Sequence, residues 1–161
     1  MKRPTPTAAA LMLLVAAAVG CGVQPTGVLD AGQPPTGLRL YFASGKGLRA
    51  VPRLGKPTNL DSVIKLLTVG PTTTEQNNGL TNLVEPKGPH RATGDGTRIT
   101  LTMPRPRLGT DNQLLNGQLV CTPAHAHAVL HPDIHPDDVN VTLTTDNTPL
   151  GPYRCANFLT T

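Results

Sequence analysis

An uncharged apolar stretch near the start of the chain decides how much of it is left to fold. Lys2 and Arg3 precede a charge-free segment from Ala8 to Gly20, the basic-then-apolar order of a secretory signal. A membrane-spanning helix needs about 20 apolar residues, and this shorter segment is soon followed by prolines. We therefore expect residues 1–20 to be a signal peptide that is removed, and not a permanent transmembrane anchor.

That segment ends with the run Ala18-Val19-Gly20-Cys21, which resembles the lipobox of bacterial lipoproteins. The resemblance implies cleavage before Cys21, a diacylglycerol on its sulfur and often an acyl chain such as palmitate on its new amine. Each buried methylene contributes about 0.8 kcal/mol, so two or three acyl chains hold a protein at a bilayer. The expected location is the extracytoplasmic face of the cell membrane. The alternative is an ordinary signal peptide that ends near a cysteine.

With Cys21 set aside, Cys121 and Cys155 remain as an even pair. An oxidising compartment would join them in a disulfide, closing a loop of about 34 residues with a stabilisation of roughly 3–4 kcal/mol. Two free buried thiols or a metal pair are the alternatives. Neither cysteine has a second cysteine at metal-site spacing, which favours the disulfide.

Composition predicts one domain with an aliphatic core and long loops, because the chain has no Trp, two Tyr and two Phe against 16 Gly and 17 Pro. Residues 21–36 are rich in Gly and Pro and are expected to form a flexible tether, leaving residues 37–161 for the domain. The net charge is +4, and it moves toward neutrality once Lys2 and Arg3 are removed.

Basic residues are concentrated between Ala31 and Leu60, where no acidic residue occurs: Arg39, Lys46, Arg49, Arg53 and Lys56. Near a lipid anchor such a patch can rest on anionic headgroups, and the plainer interpretation is a solvated sheet edge. Nucleic acid is not expected as a partner, because the patch lacks interleaved aromatic residues for stacking.

Apolar periodicity predicts the first three elements of the domain. Arg39 to Ala43 and Leu48 to Arg53 form a hairpin around Gly45-Lys46-Gly47. A helix follows, with Thr58 or Asn59 as its cap and Asp61 in its first turn, and Gly70-Pro71 ends it. Its apolar face is predicted to consist of Leu60, Val63, Ile64 and Leu67.

The later elements complete an α+β pattern. Thr97 to Met103 and Val139 to Thr144 alternate as half-buried strands, and Gly94-Asp95-Gly96 indicates a hairpin turn before the first of them. A second helix is predicted from Thr110 or Asp111 through Leu115, Leu119 and Val120, with Pro123 restricting or ending it. The expected fold class is α+β, a small mixed or antiparallel sheet with two helices packed on one face.

Four segments between Leu38 and Leu143 resemble the GerMN domain, a family named from a spore germination and sporulation protein and found in envelope lipoproteins of Gram-positive bacteria. The most specific is Leu66-Leu67-Thr68-Val69-Gly70-Pro71-Thr72, followed by Glu75 and by Gly79-Leu80-Thr81. The others are Arg39 to Phe42 with Leu48 to Arg53, the strand at Thr97 to Met103, and Gln118 to Thr122. The resemblance implies an envelope interaction module with no known active site or cofactor.

The remaining candidate site is a group of histidines, His125, His127, His131 and His135, with Asp133, Asp137 and Asp138 among them. Imidazole and carboxylate suit zinc or another transition metal. Because Pro132 and Pro136 disfavour helix at the residues before them, we expect a loop of four histidines. A metal-binding lipoprotein that uses this loop is the alternative function.

No catalytic arrangement stands out in the sequence. Ser44 and Ser62 lack a nucleophile setting, and the carboxylates Glu75, Glu85 and Asp95 have no supporting spacing. We therefore expect a non-catalytic module without a cofactor, anchored to the membrane by lipid, that binds an envelope protein or a wall component. The sequence does not specify its oligomeric state.

Overall fold

A computed structural model describes residues 37–85, 88–104, 112–145 and 148–159. The predicted signal peptide, Cys21 and the tether lie outside these residues. In chain order the strands and helices are β1 (Leu38–Ser44), β2 (Gly47–Arg53), α1 (Leu60–Val69), α2 (Thr73–Asn77), β3 (Arg91–Asp95), β4 (Arg98–Thr102), α3 (Gln113–Leu130), β5 (Asn140–Thr145) and β6 (Thr148–Tyr153). Short 3-10 turns occupy Pro136–Asp138 and Cys155–Asn157.

The first hairpin forms as predicted. β1 and β2 are antiparallel, and Ser44 pairs with Gly47 across the two-residue turn. Gly47 has a φ of 106°, a conformation that glycine adopts without steric cost. Leu38, Leu40 and Phe42 lie on the face that enters the core.

Helix α1 confirms the predicted boundaries, cap and buried face. The Asn59 side chain accepts a hydrogen bond from the Ser62 N–H at 2.8 Å, and Gly70 ends the helix with a φ of 87°. The buried residues are the four that the periodicity indicated: Leu60, Val63, Ile64 and Leu67. The five-residue helix α2 was not predicted.

A four-stranded mixed sheet has the order β3-β4-β5-β6. β3 pairs antiparallel with β4 through the predicted turn at Gly96, β4 pairs parallel with β5, and β5 pairs antiparallel with β6. The parallel pair needs a crossover, and α3 lies in the connection between these two strands. Ile99, Leu101, Val141 and Leu143 are the buried inner face.

Both edges of this sheet carry features that limit further strand pairing. On β3 the Ala92 N–H donates to the Asp61 carboxylate at 2.6 Å, so a side chain from α1 satisfies this backbone donor. On β6, Pro149 and Pro152 have no backbone N–H to offer. On β3 a backbone donor is therefore already bonded, and on β6 two donors are missing. Neither edge offers another strand a complete row of hydrogen-bonding groups.

Helix α3 continues through Pro123 to Leu130, so the prediction that Pro123 ends or restricts the second helix is wrong. Every residue from Leu115 to Val129 is buried. Contacts with β1, β5 and α1 surround the helix, and this packing outweighs the cost of an interior proline, about 3 kcal/mol. At Gly117 the helix lies so close to Leu48 and Phe158 that a Cβ would clash with both. The predicted caps Thr110 and Asp111 lie outside the described residues.

The α+β class is confirmed, with the helices packed against the inner face of a small mixed sheet. Two features exceed the expectation. The first hairpin forms its own two-stranded sheet, and β3 and β6 add a strand at each edge of the larger one.

Candidate functional surface and buried polar groups

The outer face of the four-stranded sheet is a polar surface built by strand alternation. Thr100-Leu101-Thr102 on β4 and Thr142-Leu143-Thr144 on β5 lie in register, so each leucine enters the core while the threonines face the opposite way. Thr93 on β3 pairs with Thr100 and extends one of these threonine rows to a third strand. The threonines on β3 and β4 are exposed, and those on β5 are half-buried.

One end of this outer face carries charge. Arg98 on β4 pairs with Asn140 on β5, and the Arg154 Nε donates to the Asn140 Oδ1 at 3.3 Å. An open cleft of about 340 Å³ lies here, lined by Arg98, Ile99, Thr100, Asn140, Thr142 and Pro152. A second open cleft, of about 400 Å³, lies beside the turn at Gly70 and Pro71 and includes the Asn82 side chain. Both clefts are lined by a mixture of polar and apolar groups.

The predicted loop of four histidines is wrong for two of its members. His125 and His127 lie within α3 and are 7% and 2% exposed, because the helix does not stop at Pro123. The pre-proline argument does hold for the other two: His131 caps the end of α3, and His135 has an extended backbone before Pro136. The four side chains are therefore divided between the core and the surface.

His125 and His127 have different surroundings although they are two residues apart. The His127 Nε2 bonds to the Gly96 carbonyl at 2.7 Å, and its ring lies so close to Gly94 that β3 has no room for a side chain there. His125 lies 6.4 Å from the Tyr41 ring, measured between centroids. Among the residues that the structure describes, the buried Nδ1 atoms of both rings have no hydrogen-bond partner.

Burial, followed by the positive charge of Arg39, lowers the pKa of His125 to about 4. The ring is therefore neutral near pH 7 and acts as a core side chain. Burial also raises the pKa of Tyr41, while the charge of Arg39 opposes that shift. These groups carry no charge at neutral pH, which fits their position between β1 and α3.

No group of three or more His, Cys, Asp or Glu side chains suited to a metal ion occurs within residues 37–85, 88–104, 112–145 and 148–159. His127 and His131 are neighbours, with ring centroids 4.5 Å apart, but His127 already uses its Nε2 for a backbone bond. His135 instead lies 3.5 Å from the Asp137 carboxylate and receives a bond from the Asp137 N–H.

Cys121 and Cys155 form a disulfide. The bond joins the middle of α3 to the 3-10 turn after β6, and both residues are buried. This is the disulfide predicted from the even cysteine pair, and it holds the C-terminal segment with Tyr153 and Arg154 against the domain.

The segment that carries the GerMN resemblance has an architectural role. Thr72 and Glu75 form a reciprocal capping box at the start of α2, and Glu75 also accepts two bonds of 2.7 Å from Arg53 on β2. The Arg53 bonds hold the pKa of Glu75 below its ordinary value. Thr81 then bridges to Ala43 on β1. These residues fasten α2 and the following loop to the first hairpin.

The remaining candidate residues are also accounted for by local structure. Ser44 donates to the Gly47 carbonyl in the hairpin turn, and Ser62 donates to the Asn59 carbonyl in the first turn of α1. Asp95 makes a distant, exposed ion pair with Arg98 at 3.8 Å, and Glu85 is exposed. The structure does not bring Glu75, Glu85 and Asp95 into a described cluster.

The basic residues of the first hairpin do not act as one unit. Arg53 is paired with Glu75 and lies 5.6 Å from the Phe42 ring centroid, whereas Arg39 lies near Tyr41 and His125. The side chains of Lys46, Arg49 and Lys56 are exposed.

Sequence reasoning missed a buried polar network between α3 and β1. Gln118 is completely buried; its amide donates to the Tyr41 carbonyl at 3.0 Å, and its oxygen accepts from the Leu83 N–H at 2.9 Å. Thr122 accepts from the Tyr41 N–H at 3.0 Å. These two side chains bond to the backbone of β1 as a neighbouring strand would. A glutamine and a threonine four positions apart in the predicted second helix were the available signal.

None of the helices in the described part of the chain combines the length and apolarity needed to span a bilayer. No protein-family model matches the chain, and no curated protein or solved structure shows significant similarity to it.

Proposed function

We propose that this protein is a lipid-anchored, non-catalytic interaction module of GerMN type that binds a protein or wall component at the extracytoplasmic face of the membrane. The observation that carries the proposal is the outer face of the four-stranded sheet. Its threonines and arginines take no part in the core, and the outer-face residues of β3 and β4 are exposed. A polar sheet face with this arrangement is suited to recognition of a polar partner.

The positions of the histidine, serine and glutamate side chains that could act in catalysis support a binding role over a catalytic one. His125 and His127 are core residues, and Ser44, Ser62 and Glu75 each bond within a turn or cap. A catalytic base or nucleophile needs a position beside an open site, where it can reach a reacting atom. The sheet cleft contains arginine, asparagine and threonine, whose side chains bind ligands through hydrogen bonds.

Two features support an extracytoplasmic location. The disulfide between Cys121 and Cys155 is of a kind that persists in oxidising compartments and is rare in the cytosol. The sequence before Cys21 resembles a lipobox and follows a signal-like segment. Lipidation of Cys21 would leave residues 22–36 as a tether between the bilayer and β1.

Site-specific photocrosslinking in the protein's own cells tests this proposal. A photoreactive residue at Thr100, on the outer sheet face, is expected to crosslink to one envelope component. The same residue at Thr74, which is exposed on α2, is the matched control and is expected to give little product. Mass spectrometry of the same material is expected to show an N-terminal Cys21 with added lipid mass.

Equal crosslinking from Thr100 and Thr74 would remove the reason for assigning recognition to the sheet. A product that retains Met1, or that begins elsewhere without lipid, would contradict the anchored location.

A further inference from the structure

One guanidinium group, that of Arg98, lines the cleft at the end of the four-stranded sheet, and a second, that of Arg154, is bonded to Asn140 beside it. Arg98 is the β4 neighbour of Asn140, and Arg154 bonds to the Asn140 side chain from the opposite side. Strands lie about 4.8 Å apart, so the Cα atoms of the two arginines are separated by about 10 Å. The Asn140 amide in turn donates to the Asp138 carbonyl, which fixes the oxygen that receives Arg154. The asparagine therefore orients one of the two cations.

The charged outer-face positions of β3 and β4 comprise more arginines than carboxylates. Among the outer-face positions of β3 and β4, Arg91 and Arg98 are cationic and Asp95 is the carboxylate. Asp95 and Arg98 are 3.8 Å apart, with side chains 93% and 80% exposed, so solvent screens their attraction and Arg98 remains able to bind another anion. Arg91 lies on the Thr102 row, two rows from Arg98, about 14 Å away by strand geometry.

Hydroxyl groups fill the space between these cations. Thr100 and Thr142 line the cleft, and Thr102 and Thr144 continue the same pattern along the strands. The six lining residues include no aromatic ring, so the cleft offers no platform for stacking nucleic-acid bases. The donors and acceptors fit a ligand that alternates anionic groups with hydroxyl groups.

Because each contact between an exposed arginine and an anion is weak, the ligand must be large enough to reach several arginines. An exposed arginine gains little from a single anion, because water competes for both charges. A polymer that reaches several cations on one face gains from effective concentration, since its second and third contacts are intramolecular. Three arginines that lie about 10 to 20 Å apart by strand geometry suit a repeating anionic chain better than a small ion.

We infer that the outer sheet face around Arg98, Asn140 and Arg154 binds a hydroxylated polyanion, a polymer in which carboxylate or phosphate groups alternate with hydroxyl-bearing units. This inference rests on the proposed function for its setting, because it names the partner class of the same sheet face. The guanidinium groups bind the anionic oxygens, and the threonine hydroxyls bind the hydroxyl groups between them.

The test uses the full lipidated chain in neutral detergent, with polygalacturonate as the carboxylate probe, polyphosphate as the phosphate probe and dextran as the neutral polymer. The chain is expected to bind polygalacturonate at low salt and to lose that binding at about 1 M salt, where the Debye length is ~3 Å. Dextran is expected not to bind. Comparison of polygalacturonate with polyphosphate distinguishes carboxylate from phosphate as the preferred anion.

The decisive variant combines Arg98→Gln with Arg154→Gln and is expected to weaken polygalacturonate binding about tenfold or more. The matched control combines Arg49→Gln with Lys65→Gln, which removes two exposed cations elsewhere, and is expected to change binding less than about twofold. Unchanged melting temperatures in both variants show that the fold is intact.

Equal losses in the two variants, equal binding of dextran, or stronger capture by anionic than by neutral lipid vesicles with no binding of either polyanion would overturn the inference. If the Arg98→Gln, Arg154→Gln chain still crosslinks from Thr100 to its envelope component, this inference fails while the proposed interaction module stands. Loss of site-specific crosslinking in the unsubstituted chain contradicts both.

Discussion

Individual polar residues in this protein serve mainly to connect elements, and burial determines their chemical state. His125 shows this most directly. Its residue type and its spacing from the other histidines suggested a metal ligand, whereas α3 places it against Tyr41 and near Arg39. A buried imidazole beside a permanent cation is held neutral. One of the four candidate metal ligands is thus part of the core.

This environment predicts a pH dependence of stability. The pKa of His125 is about 4 in the folded protein and near 6.5 in the unfolded chain, so the unfolded state binds more protons between those values. Stability should fall as the pH is lowered from about 6.5 to about 4, by up to about 3 kcal/mol from this residue. Urea unfolding at several pH values in that range measures it.

His125→Gln is expected to flatten this part of the pH profile, since glutamine does not titrate. His131→Gln, at an exposed position, is the control and should leave the profile unchanged. A pH slope identical in all three proteins would show that His125 is not the titrating group.

At the scale of elements, the amphipathic helix α1 could be predicted in detail from the sequence, and the fully buried helix α3 could not. Helix α1 has one apolar face and clear end signals, so its cap, end and buried residues followed from spacing. Helix α3 is buried on all sides and has no such periodicity, and its proline indicated an end that packing overrides. The sheet face was equally inaccessible to sequence reasoning, because Arg98 and Asn140 become neighbours only when β4 and β5 pair across α3.

The bonds from α3 to β1 give a prediction at this scale. Gln118→Met keeps the side-chain volume but leaves the Tyr41 carbonyl and the Leu83 N–H without their buried partner. Each such group costs about 1–3 kcal/mol, so we expect a loss of about 2–6 kcal/mol in the free energy of unfolding.

Gln76→Met is the comparison, because the Gln76 side chain is exposed and makes one hydrogen bond among the described residues, to the Pro71 carbonyl. Its loss should stay below about 1 kcal/mol. Similar losses for the two variants, measured by chemical denaturation, would show that the buried network contributes no more stability than an exposed side-chain hydrogen bond.

At the scale of the whole molecule, α3 is the element that connects the first hairpin, α1 and the four-stranded sheet. It contacts the first hairpin, α1 and β5, and the disulfide adds the C-terminal segment to the same helix. The α+β class and this disulfide were predictable, since one depends on element order and the other on cysteine parity. The division into two sheets was not, because strand pairing between distant segments leaves no local signal.

The double variant Cys121→Ala, Cys155→Ala tests how much the covalent link contributes. A link of sequence separation 34 is expected to stabilise the fold by roughly 3–4 kcal/mol, which the variant should lose in urea unfolding. Adding reductant should destabilise the unsubstituted protein and leave the variant unaffected. A loss below about 1 kcal/mol would mean that the contacts of α3 hold the C-terminal segment without the bond.

The edges of the four-stranded sheet have a consequence for a protein crowded on a surface. Anchored copies would meet at high local density, the condition under which open strand edges zip into fibrils. The Asp61 carboxylate on the Ala92 N–H and the two prolines of β6 leave such growth no regular template. If the protein is anchored as proposed, neighbouring copies should therefore not pair through the edges of this sheet.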